Sequence, residues 1–196
     1  MDFAPPITDA IARHPKVKNV ELMGSRARGD ARPESDWDFR IEARDFTAVA
    51  RALPALLAFL DPLAAQWDRL SSEQCWMLIV RGPTKVDLIF PDEPHEHEPP
   101  WAPCAENLAA IDAHFWDWML WLRAKVVAAK NELVVTELQK LFEHILRPLG
   151  VSSPPTVDRD AVSLYRSARA EAEATFGSSV PRDLEQAVGP AVLAPR

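Results

Sequence analysis

The chain has 196 residues, 47% of them hydrophobic and 26% charged, which is enough for one large domain or two small ones with a real core and excludes a stapled mini-protein. Lys and Arg number 22 against 29 Asp and Glu, a formal charge of −7, so the chain lacks the basic footprint of a general polynucleotide binder. Two cysteines, Cys75 and Cys104, exclude a disulfide framework and a paired-cysteine metal site, and they point to a reducing, cytoplasmic setting. The opening MDFAPPITDAIARH has no basic segment followed by an apolar run, and no apolar stretch approaches the ~18 residues of a membrane span. No membrane association is expected.

In chain order, ITDAIARH (7–14) has helical spacing behind Thr8 or Asp9 as a cap, with Pro15 as its stop. VKNVELMG (17–24) reads as a strand ending at glycine, and DWDFRIEA (36–43) alternates with Trp37, Phe39 and Ile41 on one face and Asp36, Asp38, Arg40 and Glu42 on the other. A helix is expected over 46–60 despite Pro54, then strands at 64–69, 75–82 and 84–90. The proline-rich, acidic PDEPHEHEPPWAPC that follows reads as a boundary. The expected division is therefore 1–93, a linker at 94–104, and a helical part over 105–196 with helices at 105–130, 131–147, 158–176 and 181–189. The first 104 residues carry 12 basic and 17 acidic side chains, so most of the net negative charge lies in the first part.

Chemistry concentrates in that first part. Asp36 and Asp38, two apart on a strand, share a face at about 6–7 Å between α-carbons, so their oxygens can converge on cations. Asp87 on another strand can complete a hard-oxygen site suited to Mg²⁺. Upstream, Gly24-Ser25 ends a strand and opens a turn or short helix, where backbone N–H groups and a hydroxyl can hold phosphate. Arg26 and Arg28 follow at once and can neutralise phosphate charge. A phosphate cradle beside a two-metal carboxylate site is apparatus for in-line displacement at phosphorus.

Gly-Ser, a spacer, Asp-x-Asp and a later Asp together resemble the nucleotidyltransferase superfamily with the DNA polymerase β-like fold. GSRARGDARPESDWDF is especially similar to the small bacterial nucleotidyltransferases, which include antibiotic-modifying enzymes and minimal nucleotidyltransferase antitoxins. The resemblance runs over about residues 10–90 and implies an α+β fold: a palm of mixed β-sheet flanked by helices, followed here by a C-terminal α-helical bundle. It also implies two Mg²⁺ ions at Asp36, Asp38 and Asp87, triphosphate contacts at Gly24 and Ser25, and transfer of a nucleoside monophosphate from ATP or another triphosphate with loss of pyrophosphate.

The expected acceptor is a hydroxyl on a small molecule, in the manner of an aminoglycoside or lincosamide. The alternatives are an antitoxin that adenylylates or sequesters a toxin protein, and a nucleotide-binding protein without turnover. By the same resemblance, a helix-borne Glu beyond the palm is a general base in some antibiotic nucleotidyltransferases; Glu132, ahead of Glu137, is the candidate, against the simpler reading of solvated helix charges. His95 and His97 read as exposed polar residues rather than ligands. Of seven tryptophans, Trp116, Trp118 and Trp121 cannot share one helical face, since steps of two and three residues turn about 200° and 300°. Their helix is expected to be buried on several sides, in its bundle, on the palm or in a homodimer.

Overall fold

The structure is a computed structural model that describes residues 2–194, so Met1, Pro195 and Arg196 at the ends of the expected domains lie outside the described residues. It divides into one unit ending at Glu98 and another beginning at Pro99.

The first unit runs α1 (Ala4–Ala12), β1 (Val17–Leu22), α2 (Gly24–Arg28), β2 (Trp37–Ala43), α3 (Phe46–Leu56), a 3₁₀ turn (Ala58–Leu60), β3 (Ala64–Trp67), β4 (Glu73–Val80) and β5 (Thr84–Pro94). The strands form one sheet in the order β1-β2-β5-β4-β3. Only β2 and β5 pair in parallel, which makes the sheet mixed and places two strands from distant parts of the chain side by side at its centre. The alternation read from 36–43 holds: Trp37, Phe39 and Ile41 are buried, whereas Asp38, Arg40 and Glu42 between them are not. That apolar face joins Val86, Leu88 and Phe90 of β5 in a core with Ile7 and Ile11 of α1 and Val49 and Leu53 of α3.

Several boundaries differ from expectation, and three features of the first unit have local causes. α1 starts at Ala4, because Pro5 and Pro6 sit in its first turn, where a missing N–H loses no hydrogen bond. α3 is capped by the Asp45 carboxylate, which accepts from the Ala48 amide at 3.0 Å, and Pro54 lies in its last turn. β5 continues to Pro94, four residues past the expected end, because a register irregularity between Glu73 and Gln74 accommodates the prolines. His95 then donates its amide to the Ser72 carbonyl at 3.0 Å, and Glu98 donates its own to the Arg69 carbonyl at 2.8 Å. Much of the acidic proline-rich segment is thus tied down.

The second unit is helical: α4 (Leu108–Val127), α5 (Asn131–Leu141) ending in a π-turn (Phe142–Leu146), α6 (Asp158–Phe176) and α7 (Asp183–Leu193). The wide turn is closed by the Arg147 amide on the Phe142 carbonyl at 2.7 Å, so the helix expected over 131–147 changes pitch near its end. α4 buries residues around its whole circumference: Phe115, Trp116, Met119 and Leu122 are fully enclosed, and Trp118 is 7% exposed. Trp121 is half-buried with the Lys125 ammonium 4.5 Å from its ring centre. Phe115 stacks on Tyr165 of α6 with ring centres 3.7 Å apart. Among the described residues no helix is long and apolar enough to cross a membrane.

α6 and the segment leading into α7 are joined by Glu173, whose carboxylate accepts from Arg182 at 2.6 and 2.8 Å and from the Val180 amide at 2.7 Å. The Arg182 hydrogen bonds hold the Glu173 carboxyl below its ordinary value, outweighing the opposing effect of burial. Because the folded-state pKa is depressed, the stabilisation is present above the ordinary carboxylate pKa and is lost as pH falls through the lower folded value. The melting temperature of the wild type is therefore expected to fall more steeply below about pH 4.5 than that of Glu173→Gln, as followed by circular dichroism. Equal acid slopes in the two proteins would remove Glu173 from this role.

Candidate active site

β1 ends at Leu22, and the Met23 amide donates to the Asp38 carbonyl at 2.7 Å, which ties the entry of α2 to the start of β2. Gly24 then turns the chain with φ of +67°, a backbone conformation that favours glycine. The first bond of the α2 ladder runs from the Ala27 amide to the Met23 carbonyl at 3.4 Å, so the amides of Gly24, Ser25 and Arg26 stand ahead of that ladder. The Ser25 carbonyl accepts from the Asp30 amide at 3.0 Å and closes the short helix.

The Asp38 carboxylate lies directly on Gly24. A Cβ at position 24 would collide with Oδ2 of Asp38, so glycine is required there both by its φ and by this approach. Gly24→Ala is expected to cost about 1–2 kcal/mol of stability for the left-handed backbone. Displacing a carboxylate by an ångström costs catalysis more, about a hundredfold, in steady-state transfer by the folded variant. Wild-type turnover in that variant would detach Asp38 from the chemistry.

Asp38 is the cross-strand neighbour of Asp87 in the parallel β2/β5 ladder, so both project from the same face. Asp36 lies just before β2, one residue ahead of the first ladder pair, Trp37 with Val86. Three of the carboxylates singled out from the sequence are therefore brought to one end of two central strands. Their hard oxygen donors suit Mg²⁺ in kind. Even so, among the described residues no three His, Cys, Asp or Glu side chains form a ready-made metal cage. Asp87 is already engaged: Lys85, two residues earlier on the same face, places Nζ 2.6 Å from Asp87 Oδ1, and the side chains are only 6% and 13% exposed. Lys85 was not singled out from the sequence; its i−2 spacing from Asp87 on a strand was the available signal.

Arg26 and Arg28 part company. The Arg26 guanidinium donates from Nε to the carbonyls of Ser35 and Asp36 at 3.1 and 3.0 Å and from Nη2 to Ser35 at 2.5 Å, and it lies 4.0 Å over the Trp37 ring. Burial pulls its pKa down while Asp36 and Asp38 push it up. Its contacts shape the loop that delivers Asp36. Arg28 is exposed, with Nε 3.4 Å from Asp30.

Glu132, in the second unit, is exposed in the first turn of α5, whereas Glu137 accepts from Trp118 Nε1 at 3.2 Å and Lys140 Nζ at 2.7 Å. His95, expected to be exposed, is instead 15% exposed with Nδ1 3.1 Å from the Ser71 carbonyl, because the prolonged β5 carries it against the sheet; His97 is exposed.

No curated protein sequence matches the chain. Its full length resembles the crystal structure of an aminoglycoside 6-adenyltransferase from Bacillus subtilis at 11% identity and a TM-score of 0.34, covering 97% of each chain, too low a score to carry an argument. The family model of a nucleotidyltransferase domain matches residues 7–76, from α1 into β4, and includes Gly24, Ser25, Asp36 and Asp38. With that match laid over the mixed sheet and its carboxylates, the chain is a transferase whose first unit carries a domain of the nucleotidyltransferase superfamily.

Proposed function

We propose that the chain transfers a nucleoside monophosphate, AMP from ATP, to a hydroxyl of a small-molecule acceptor of aminoglycoside-like or lincosamide-like chemistry and releases pyrophosphate. The observation that carries this reading is the packing of the Asp38 carboxylate on Gly24 at the start of α2, in register with Asp87. It puts amides that can meet phosphate beside carboxylates that can meet a cation.

Asp36 and Asp38 would hold Mg²⁺, with Asp87 as third carboxylate; when bound, the metal offsets triphosphate charge and lowers the pKa of the acceptor hydroxyl. Gly24 and Ser25 hold the β- and γ-phosphates through amides ahead of the α2 ladder and the Ser25 hydroxyl. Arg28, on the surface, adds charge toward the same phosphates, while Arg26 keeps the Ser35–Asp36 carbonyls and the Trp37 ring in place. In the transfer the acceptor oxygen forms a bond to the α-phosphorus, and the bond from α-phosphorus to the bridging oxygen breaks. The electron pair leaves with pyrophosphate, and the hydroxyl proton passes to a general base. Glu132 is the candidate base, because the Glu137 carboxylate is held by Trp118 and Lys140. The acidic balance of the first part favours a cationic acceptor.

The test is a pyrophosphate-release assay with Mg²⁺, each of the common nucleoside triphosphates and a panel of hydroxylated antibiotics, with the acceptor product read by mass spectrometry. A nucleotidylated antibiotic is the expected product. A panel that stays unmodified while a co-purified protein becomes adenylylated would replace the small-molecule acceptor with a protein one.

A further inference from the structure

We propose that the groove between α6 and α7 is a second binding site, for a phosphate monoester whose phosphoryl group is held by arginine and whose apolar body lies along α7. The site is formed wholly by the second unit and stands whether or not the first unit transfers nucleotides.

The groove holds a cavity of about 560 Å³, a size usual for small-molecule sites, which helical bundles commonly place between helices. Lining positions 182, 186, 189 and 193 recur at steps of three and four, so α7 and its cap turn one stripe toward it. One end of that stripe is polar, at Arg182, Glu185 and Gln186. The other is apolar, at Gly189, Pro190 and Leu193. Glycine and proline are the two poorest residues for a helix interior, yet α7 carries them side by side where they line the cavity. Gly189 leaves room there: a Cβ would meet Arg166 Nη2 at 3.7 Å and Trp116 Cη2 at 3.8 Å. From α6 come Arg166 and Arg169.

The lining sets three guanidinium groups against one carboxylate, Glu185, an excess of two positive charges. Asp112 and Glu173, which fix Arg169 and Arg182, are only 2% and 13% exposed and do not line the cavity. They hold those two forks in place and leave the wall itself cationic. Arg166 is the group open to a ligand. Its Nε is 2.7 Å from Glu185 Oε1, its side chain is 44% exposed, and among the described residues its two terminal nitrogens have no hydrogen-bond partner. The edge of such a planar guanidinium matches two oxygens of a phosphoryl group. Arg169, only 5% exposed, also keeps an Nε with no hydrogen-bond partner, a donor left over beside the same cavity. At the apolar end Arg159 brings a further guanidinium, through a 3.2 Å hydrogen bond to the Leu193 carbonyl. A wall with two positive charges in excess answers a dianionic phosphoryl group better than a single carboxylate. Gly189, Pro190 and Leu193 give an apolar body a surface that a free phosphate ion would leave unused.

The experiment is calorimetric titration of the full chain with phenyl phosphate, in EDTA and above the second phosphate pKa of about 6, with benzoate and inorganic phosphate titrated in parallel. EDTA removes divalent ions, so the carboxylates of the first unit have no metal through which to hold a phosphate. One phenyl phosphate is expected per chain, bound about tenfold more tightly than either benzoate or inorganic phosphate. Arg166→Gln, which removes the open guanidinium, and Gln186→Glu, which adds a negative charge to the wall, are each expected to weaken binding about tenfold. Both residues are exposed, so both variants are expected to melt like the wild type by circular dichroism. Should Arg166→Gln fail to melt cooperatively, Gln186→Glu carries the test alone. Absence of binding to the wild type, or wild-type affinity in the folded variants, overturns the proposal. Equal affinity for benzoate overturns the phosphoryl assignment, and equal affinity for inorganic phosphate overturns the ester. None of these results bears on transfer by the first unit, which the pyrophosphate-release assay tests separately.

Discussion

Asp38→Ala is expected to abolish pyrophosphate release to within assay background, a fall of about three orders of magnitude, while the protein still melts cooperatively. The size follows from the role assigned to Asp38: it stands between Gly24 and Asp87, so removing it weakens the seats of cation and phosphate together. Several kcal/mol of transition-state charge stabilisation are at stake, and each 1.36 kcal/mol corresponds to about a tenfold change in rate. The core tolerates the change because its apolar residues on β2, Trp37, Phe39 and Ile41, lie on the opposite face. Nucleotide binding by calorimetry and melting by circular dichroism separate a lost site from a lost fold. Equal turnover by the variant removes Asp38 from the chemistry.

Arg169→Ala is expected to destabilise the second unit by about 3–5 kcal/mol, the cost of leaving a buried charge unpaired. Asp112 of α4 is 2% exposed and accepts from Tyr165 Oη and from Arg169 Nη1, each at 2.7 Å. Arg169 also reaches Glu185 of α7, which pairs with Arg166 at 2.7 Å. Three helices are thereby cross-linked by one polar network beneath the aromatic layer. Burial pushes the Asp112 carboxyl up, against the opposing pull of the Tyr165 and Arg169 hydrogen bonds. Losing Arg169 leaves the burial effect and removes both a hydrogen bond and a positive charge from the compensation. The double change Asp112→Leu with Arg169→Met is expected to recover much of the loss, since paired apolar replacements spare the desolvation of both charges. Urea unfolding of the two variants measures both quantities, and a double variant no more stable than Arg169→Ala contradicts the assignment.

The candidate site was legible where chemistry and spacing coincide in a short stretch. Gly24, Ser25, Asp36 and Asp38 lie within fifteen residues, and alternation on one strand separates Asp38 from the core residues around it. Arg26 shows the limit of such reading. From its neighbours it is a candidate phosphate ligand; that the loop folds back so that its guanidinium also meets the Ser35 and Asp36 carbonyls and the Trp37 ring is not visible there. Nothing in the residues from Gly24 to Arg28 specifies that return. His95 illustrates the same point, since its burial follows from a strand prolonged through a register irregularity opposite Glu73.

The sequence by itself determined the α+β order of elements, the core face of β2, the all-round burial of α4 and the spacing of the candidate carboxylates. Each of these depends on local periodicity or on the side-chain chemistry of near neighbours. Only the tertiary structure decided that Asp87 lies beside Asp38, that Lys85 is turned onto Asp87, and that Asp112, Tyr165 and Arg169 close a network across helices. Cross-strand register is set by pairing between segments about fifty residues apart, and a buried lysine or arginine is indistinguishable in sequence from a solvated one until its partner is in place. The acidic balance with which the chain opens therefore has a structural meaning that composition could not supply. Part of the negative charge in the first unit is gathered at one end of two parallel strands, and Lys85 is the side chain of that face that answers Asp87 there.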